Sequence, residues 1–586
     1  MLDATPAVPP SPEVEAAIAA DAARADEAAE RTPLRKRLRW PFSTAFLVSL
    51  LLVLGDRIPS VDSMSYFETG TNFVNGRGYT RSGSPEMHFP PIAPVSFGLL
   101  EKALGNQMFA LRTWELVWAM AAVLVLTAVA WFISRDDDTV VATAWLAVAV
   151  PGVVTLSIRA GSGSELPVVV MLLASGLLTL LAVDRTAERS QAKRLLLLVG
   201  AGALVGLAYL TRPEALMPGA VVGLAVVLFA LRDPDKTWGQ RFTTLIKNGA
   251  AFGFATLLFV APYVNYTHSN TGSWSLTSKT KDASIDAWRA VAQDDRLERD
   301  QILYSIQPDG VSLGPKTVSL TQIAREHPRN WLTIAWINTT TIFGDYVGRP
   351  WETGPTWELI PLFLSVPAVW QMWKTRRKGS TLLFAGLGAA PLATCFLFFA
   401  LPRYLMMTTA VLIPFGAWGL VNWTNRLALG KRRLAWWIMG GLMVLSLVVA
   451  AWNLLPYSNT AERTEQRTAG EWIAANTPED ARIMTRSFHV QGYSHRDVVA
   501  MPSAEYRAML EFARRMGVKY IVADETTVRK RRPEVYDILM RETGAPAGLK
   551  LVHQFTERGV RVKIYELDPP APPTLQPPLP LGYVAD

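Results

Sequence analysis

The chain has 586 residues, of which 50% are hydrophobic and only 18% charged, whereas a soluble protein carries charge on about a quarter of its residues. Its one cysteine, Cys395, lies inside an apolar run, which excludes a disulfide framework and a cysteine zinc site. The net charge of +8 does not mark a nucleic-acid binder, because the Lys and Arg residues gather in short segments between apolar runs and no nucleic-acid motif accompanies them. The composition is that of a polytopic α-helical membrane protein.

Residues 1–39 are rich in Ala, Glu, Asp and Pro and end in Arg35, Lys36, Arg37 and Arg39. They predict a disordered cytosolic tail. The apolar run 40–54 follows. A basic flank and a short apolar core also describe a signal peptide, but no small-x-small cleavage site follows and more spans come after, which favours a signal anchor. Further apolar runs cover 108–133, 139–158, 166–183, 195–210, 215–231, 248–265, 357–373, 380–400, 404–421 and 434–454. The expectation is about eleven spans, some shorter than the roughly 20 residues that cross a bilayer. Basic segments at 185–194, 232–247, 374–378 and 426–433 all fall on the side of the N-terminal Arg/Lys cluster. That pattern puts the N-terminus in the cytoplasm, and places loops 55–107 and 265–355, with everything after about 455, outside it. Within the second loop, 331–347 reads as an interfacial helix; if it spans, the C-terminal domain changes sides.

From 456 to 568 the character changes. Glu471–Pro478 reads as a helix ended by proline, Arg482–Arg486 and Val518–Ala523 as strands with a helix at 504–516 between them, and Leu549–Phe555 with Val560–Tyr565 as a hairpin. This predicts a small extracytoplasmic α/β domain, followed by a Pro-rich tail at 569–586.

The residues able to carry chemistry lie at span ends on the outer side. Asp62 opens the first outer loop and, by itself, would serve as the cap of a helix over 63–73. Tyr66, Phe73 and Tyr79 give that helix an aromatic side suited to an interface, Gly76 and Gly78 allow a turn, and His88 precedes the stiff Pro90-Pro91 return. Glu165 heads an apolar helix, where the helix dipole alone would favour it. Arg212, in Arg212-Pro-Glu214, and Arg403-Tyr404 put guanidinium groups where a lipid-anchored phosphate would sit, although snorkelling anchors occupy the same depth. Lys279 lies nearby in the second outer loop, and Glu86 with His268 could bind a divalent metal ion, a polar loop histidine being the plainer reading.

Taken in order, Asp62-x3-Tyr66, Gly-x-Gly-Tyr79, Pro90-Pro91, Glu165, Thr211-Arg-Pro-Glu214 and Pro402-Arg-Tyr404 resemble the GT-C superfamily of polyprenyl-phosphate-sugar-dependent glycosyltransferases over roughly residues 40–455. The likeness is to the bacterial branch with aminoarabinose transferases, lipopolysaccharide-core glycosyltransferases and protein O-mannosyltransferase relatives. The resemblance implies a polyprenyl-phosphate-linked sugar donor, a glycan or lipid acceptor, and catalysis by Asp62 with Glu165 assisting. It implies donor-phosphate contacts from Arg212, Arg403, Tyr404 and Lys279, a donor or acceptor loop with Tyr66, Tyr79 and His88, and a metal site at Glu86 and His268. Asp62-Ser63 departs from the Asp-Glu pair of the protein mannosyltransferases. Two other classes stay open: an O-antigen-ligase-like enzyme, and a lipid or sugar flippase, which would call for inverted repeats and mid-membrane charges.

Overall fold

The computed structural model describes residues 33–54, 60–81, 84–150, 153–184, 189–233, 235–272, 274–277, 359–376, 378–397, 402–427 and 463–568, with scattered positions over 300–340 and 437–448. Among them, nine helices are long and apolar enough to cross a membrane: Leu34–Leu54, Gln107–Ser134, Asp137–Ile158, Glu165–Val183, Gln191–Thr211, Pro213–Leu231, Trp238–Thr271, Gly379–Phe396 and Arg403–Thr424. They match nine of the expected spans. The helix Leu359–Thr375 has 17 residues, and most of the 434–454 run, residues 1–32 of the N-terminal tail, the Pro-rich tail and most of 331–347 lie outside the described residues, while Leu34–Arg39 of that tail are helical, not disordered. The chain is a multi-pass membrane protein.

Local chemistry sets the turns at one end of the bundle. Asp136 caps the Asp137–Ala149 helix by accepting from Thr139 N at 3.0 Å, and Arg135 ends the preceding helix in the left-handed region. Arg37, at the start of the first span, pairs with Asp138 and ties that turn to the N-terminal end. Thr237 and Gln240 form a capping box at the head of the Trp238–Thr271 helix. That helix has 34 residues and so runs about 51 Å, well beyond the about 30 Å of a hydrocarbon core. In the bundle interior, small residues let backbones approach: a side chain on Gly206 would strike Phe259 Cβ at 2.7 Å, the kind of contact that replaces the hydrophobic effect between helices in lipid.

The segment after the first span is a helix pair, Val61–Val74 and Ile92–Leu104. The two cross with Gly70 against Gly98, where a Cβ on Gly70 would lie 2.8 Å from Gly98 N. Strands β1 (Thr80–Arg81) and β2 (Ser84–Pro85) form a short antiparallel hairpin between them. Tyrosine hydroxyls hold this strap. Tyr79 donates to Phe89 O at 2.7 Å, and the overhanging end of the long helix supplies Tyr263 to Met87 O at 2.9 Å and Tyr266 to Tyr79 O at 3.1 Å.

The C-terminal domain is a five-stranded sheet with helices. Its strands are β3 (Arg482–Thr485), β4 (Asp497–Ala500), β5 (Tyr520–Asp524), β6 (Leu549–Glu557) and β7 (Val560–Leu567), in the order β4-β3-β5-β7-β6. β3 is parallel to β4 and β5, and β7 joins antiparallel to β5 and β6. The expected strands and closing hairpin are present; β4 and three short helices, Phe488–Ser494, Glu525–Arg531 and Pro533–Leu539, were not expected.

Asp300, from the segment that follows the Trp238–Thr271 helix, is buried in this domain between Arg486 and Arg532, with Arg531 Nη1 at 3.6 Å. Tyr304 O accepts from Ser503 N at 2.9 Å just beyond it. Burial opposes ionisation of Asp300, but hydrogen bonds and charge from Arg486 and Arg532 outweigh it and hold the carboxyl below the usual carboxylate range. A depressed folded-state pKa gives stability that is complete above the unfolded value, about 3.9, and is lost as pH falls through the folded value. Thermal melting of the domain is therefore expected to be flat from pH 7 to about 5 and to fall below about pH 4, whereas Asp300→Asn should cost about 3 kcal/mol at pH 7 and shallow that acid limb. An equally steep limb in the variant would assign it to another group.

Candidate active site

Five of the residues singled out in the sequence meet at one end of the bundle. Arg403 Nη1 lies 3.0 Å from Asp62 Oδ2 and 3.5 Å from Glu165 Oε1. Arg212 Nη1 lies 2.7 Å from the same Glu165 oxygen, and its Nε lies 3.6 Å from Glu214 Oε2. The result is an alternating chain, Asp62–Arg403–Glu165–Arg212–Glu214, with three carboxylates and two guanidiniums. The Tyr404 ring packs beneath both cations, 5.3 Å from Arg212 Cζ and 5.5 Å from Arg403 Cζ. Burial is deepest in the middle of the chain: the Glu165 and Arg212 side chains are 4% and 6% exposed, while Asp62 and Arg403 at one end are 25% and 27% exposed and Glu214 at the other is 40% exposed.

The turn before Glu165 organises this cluster. Gly161 and Gly163 adopt left-handed backbone at φ 57° and 68°, and a Cβ on Gly163 would meet Phe97 Cζ at 2.6 Å. The turn thereby brings Ser162 and Ser164 to the Glu165 carboxylate. Ser164 is a junction that sequence reading did not single out: its hydroxyl also receives Arg212 Nη1 at 3.1 Å and the Tyr66 hydroxyl at 3.1 Å. A serine in a Gly/Ser turn carries no signal of such a role. The turn also grips the Asp62 helix, since Gly161 O accepts from Ser63 Oγ and from Ser60 N at 3.3 Å.

Two expectations change at this helix. Asp62 does not cap it: the helix begins at Val61, and Ser60 is the cap, accepting from Ser63 N at 3.2 Å. That leaves the Asp62 carboxylate in the first turn for Arg403. Tyr66 is not on an interfacial face but fully buried, edge-on to Phe89 with centroids 4.8 Å apart. Burial, with the charge of Asp62 beside it, pushes its phenol up, so it remains a neutral donor.

The other candidates lie elsewhere or serve the scaffold. Tyr79 ties the strap through Phe89 O, and His88 stands edge-on to Phe89. Glu86 is buried, paired with Arg81, and accepts from the backbone N–H of His88 at 2.6 Å and of Phe89 at 3.1 Å. His268 stacks on Trp274 at 3.9 Å. Among the described residues, no group of three or more His, Cys, Asp and Glu side chains is placed to hold a metal ion. Lys279 lies outside the described residues.

The helical bundle, with a sheet-containing domain after it, has the GT-C fold. The chain is similar to the Archaeoglobus fulgidus oligosaccharyltransferase, solved with Zn and sulfate, at 15% identity and a TM-score of 0.58, over 83% of this chain and 68% of that one. It is also similar to ArnT from Cupriavidus metallidurans bound to undecaprenyl phosphate, at 13% identity and a TM-score of 0.57, over 91% of this chain and 98% of that one. The same ArnT in its apo state gives a TM-score of 0.55. No family model matches the chain, and no curated protein matches it by sequence.

Removing one partner of the buried Glu165–Arg212 pair should be far costlier than removing both. Arg212→Met is expected to destabilise by about 3–5 kcal/mol by stranding Glu165, and Arg212→Met with Glu165→Gln to recover a large part of it. Thermal unfolding in detergent measures the cycle. Additive losses would show that the two side chains are not coupled.

Proposed function

We propose that this protein is a glycosyltransferase that moves a sugar from a polyprenyl-phosphate donor to a hydroxyl of an envelope glycan or lipid on the extracytoplasmic face. The observation that carries the reading is the Asp62–Arg403–Glu165–Arg212 chain, set at the end of a fold also found in a protein bound to undecaprenyl phosphate. Two guanidiniums beside a tyrosine ring match a lipid phosphate, which needs forked donors and a position where the lipid tail can stay in the membrane.

The geometry divides the labour. Glu165 is occupied by Arg212, Ser162 and Ser164, so its work is to hold the arginines in place. Asp62 is held by Arg403 at one exposed end. An arriving phosphate competes for Arg403 and draws it off Asp62, which turns the carboxylate into a base for the acceptor. The acceptor oxygen attacks the anomeric carbon, its proton passes to Asp62, and the bond to the donor phosphate breaks. The electron pair leaves on the phosphate oxygen, where Arg403 and Arg212 stabilise it. One displacement inverts the anomeric centre. The sugar transferred is a hexose or pentose, and the N-terminus is cytoplasmic, in keeping with the basic inner segments.

Membranes carrying the full chain, given a panel of undecaprenyl-phosphate sugars, should consume one of them. Asp62→Asn should lower turnover by about 10²–10⁴-fold with undecaprenyl phosphate still bound, whereas Arg403→Gln should chiefly weaken that binding. Turnover near wild type in Asp62→Asn would overturn the assignment.

A further inference from the structure

The C-terminal domain reaches the candidate active site through one short helix. Phe488–Ser494 packs on the Val61–Val74 helix that carries Asp62. Gln491 donates its side-chain amide to the Glu68 carboxylate. Next to it, Gly492 lies directly on Met64: a Cβ there would sit 2.9 Å from Met64 Cγ and 3.1 Å from Met64 Cβ, and nearer still to the sulfur. Gly492 does not adopt the left-handed backbone that demands glycine. Its missing side chain therefore serves proximity rather than conformation. Met64 is 2% exposed and stands two residues after Asp62.

The same helix is held from the bundle by Ser63 on Gly161 and by Tyr66 on Ser164. It is thus clamped between the bundle and the domain. The crossing of Gly70 on Gly98 and the Asp62–Arg403 pair also hold it, and the domain contact at Met64 bears on its first turn from outside the bundle's own sequence. A carboxylate about 6 Å from a helix axis moves about 2 Å for a roll of about 20°, and a misplacement of about 1 Å can cost about a hundredfold in rate.

We infer that Gly492 and Met64 form a positioning contact through which the C-terminal domain sets the roll of the Asp62 helix, and with it the turnover. This rests on Asp62 acting in transfer as proposed above. Arg486, two residues before the docking helix, also holds Asp300. The segment that carries Asp300 is therefore tied to the same contact.

The test uses the full chain in lipid nanodiscs. Gly492→Leu should lower kcat by about ten- to a hundredfold while the donor KM and the Kd for undecaprenyl phosphate stay within about twofold. Amide exchange over 61–74 should speed up by about tenfold or more. Adding Met64→Ala, which vacates nearly the volume that leucine brings, should restore most of both losses. Lys530→Ala, at an exposed position of the domain, should behave as wild type. Unchanged kcat and exchange in Gly492→Leu overturn the inference, as does a loss that Met64→Ala leaves unrepaired. If Gly492→Leu does not accumulate, Gly492→Ala is judged by the same kcat-against-KM split and the same rescue. Transfer missing from the wild-type chain, or retained in Asp62→Asn, overturns the transferase reading instead, and the exchange measurement then decides the contact by itself.

Discussion

The buried pair of Glu165 and Arg212 is the interaction on which this end of the bundle depends. Two charges at the end of an apolar bundle are tolerated because hydroxyls and further charges satisfy them. Arg212 spans Glu165, Ser164 and Glu214, and Glu165 spans Arg212, Ser162 and Ser164. Satisfying that pair fixes the Gly161–Ser164 turn, and the turn in turn receives Ser60, Ser63 and Tyr66 from the Val61–Val74 helix and its cap. Asp62 is therefore placed by a buried electrostatic requirement several residues away, not by its own contacts alone.

Exposure divides the charged chain into a buried middle and two wetter ends. In the middle the Glu165–Arg212 ion pair is close, shielded from salt and costly to disturb. At one end Arg403 bridges two carboxylates, with Asp62 at 3.0 Å and Glu165 at 3.5 Å, and at the other Glu214, 40% exposed, lies 3.6 Å from Arg212. A rigid middle thus carries two ends that solvent reaches.

Much of this end was legible from residue type and position. Charged residues at the ends of apolar runs, with basic segments at the opposite ends, group Asp62, Glu165, Arg212, Arg403 and Tyr404 by sequence alone. What stayed hidden was short-range or very long-range. Ser60 rather than Asp62 caps the helix because the chain enters it two residues earlier than the acidic signal suggests, and Tyr66 turns inward because Ser164 offers it a partner. The four-residue β4 lacks the length to show a period. Nothing near Met64 or Gly492 in the sequence announces that they touch.

The Asp300 node also bears on the order in which the molecule can be completed. Its carboxylate finds its guanidinium partners 186 and 232 residues later in the chain, and Glu68 waits 423 residues for Gln491. Domains emerge from the N-terminal side first during synthesis. The Val61–Val74 helix and the Asp300 node must therefore stand incomplete until the last domain has been made. A chain truncated before that domain would assemble its helical bundle and yet lack the partners that Asp300 and Glu68 find there.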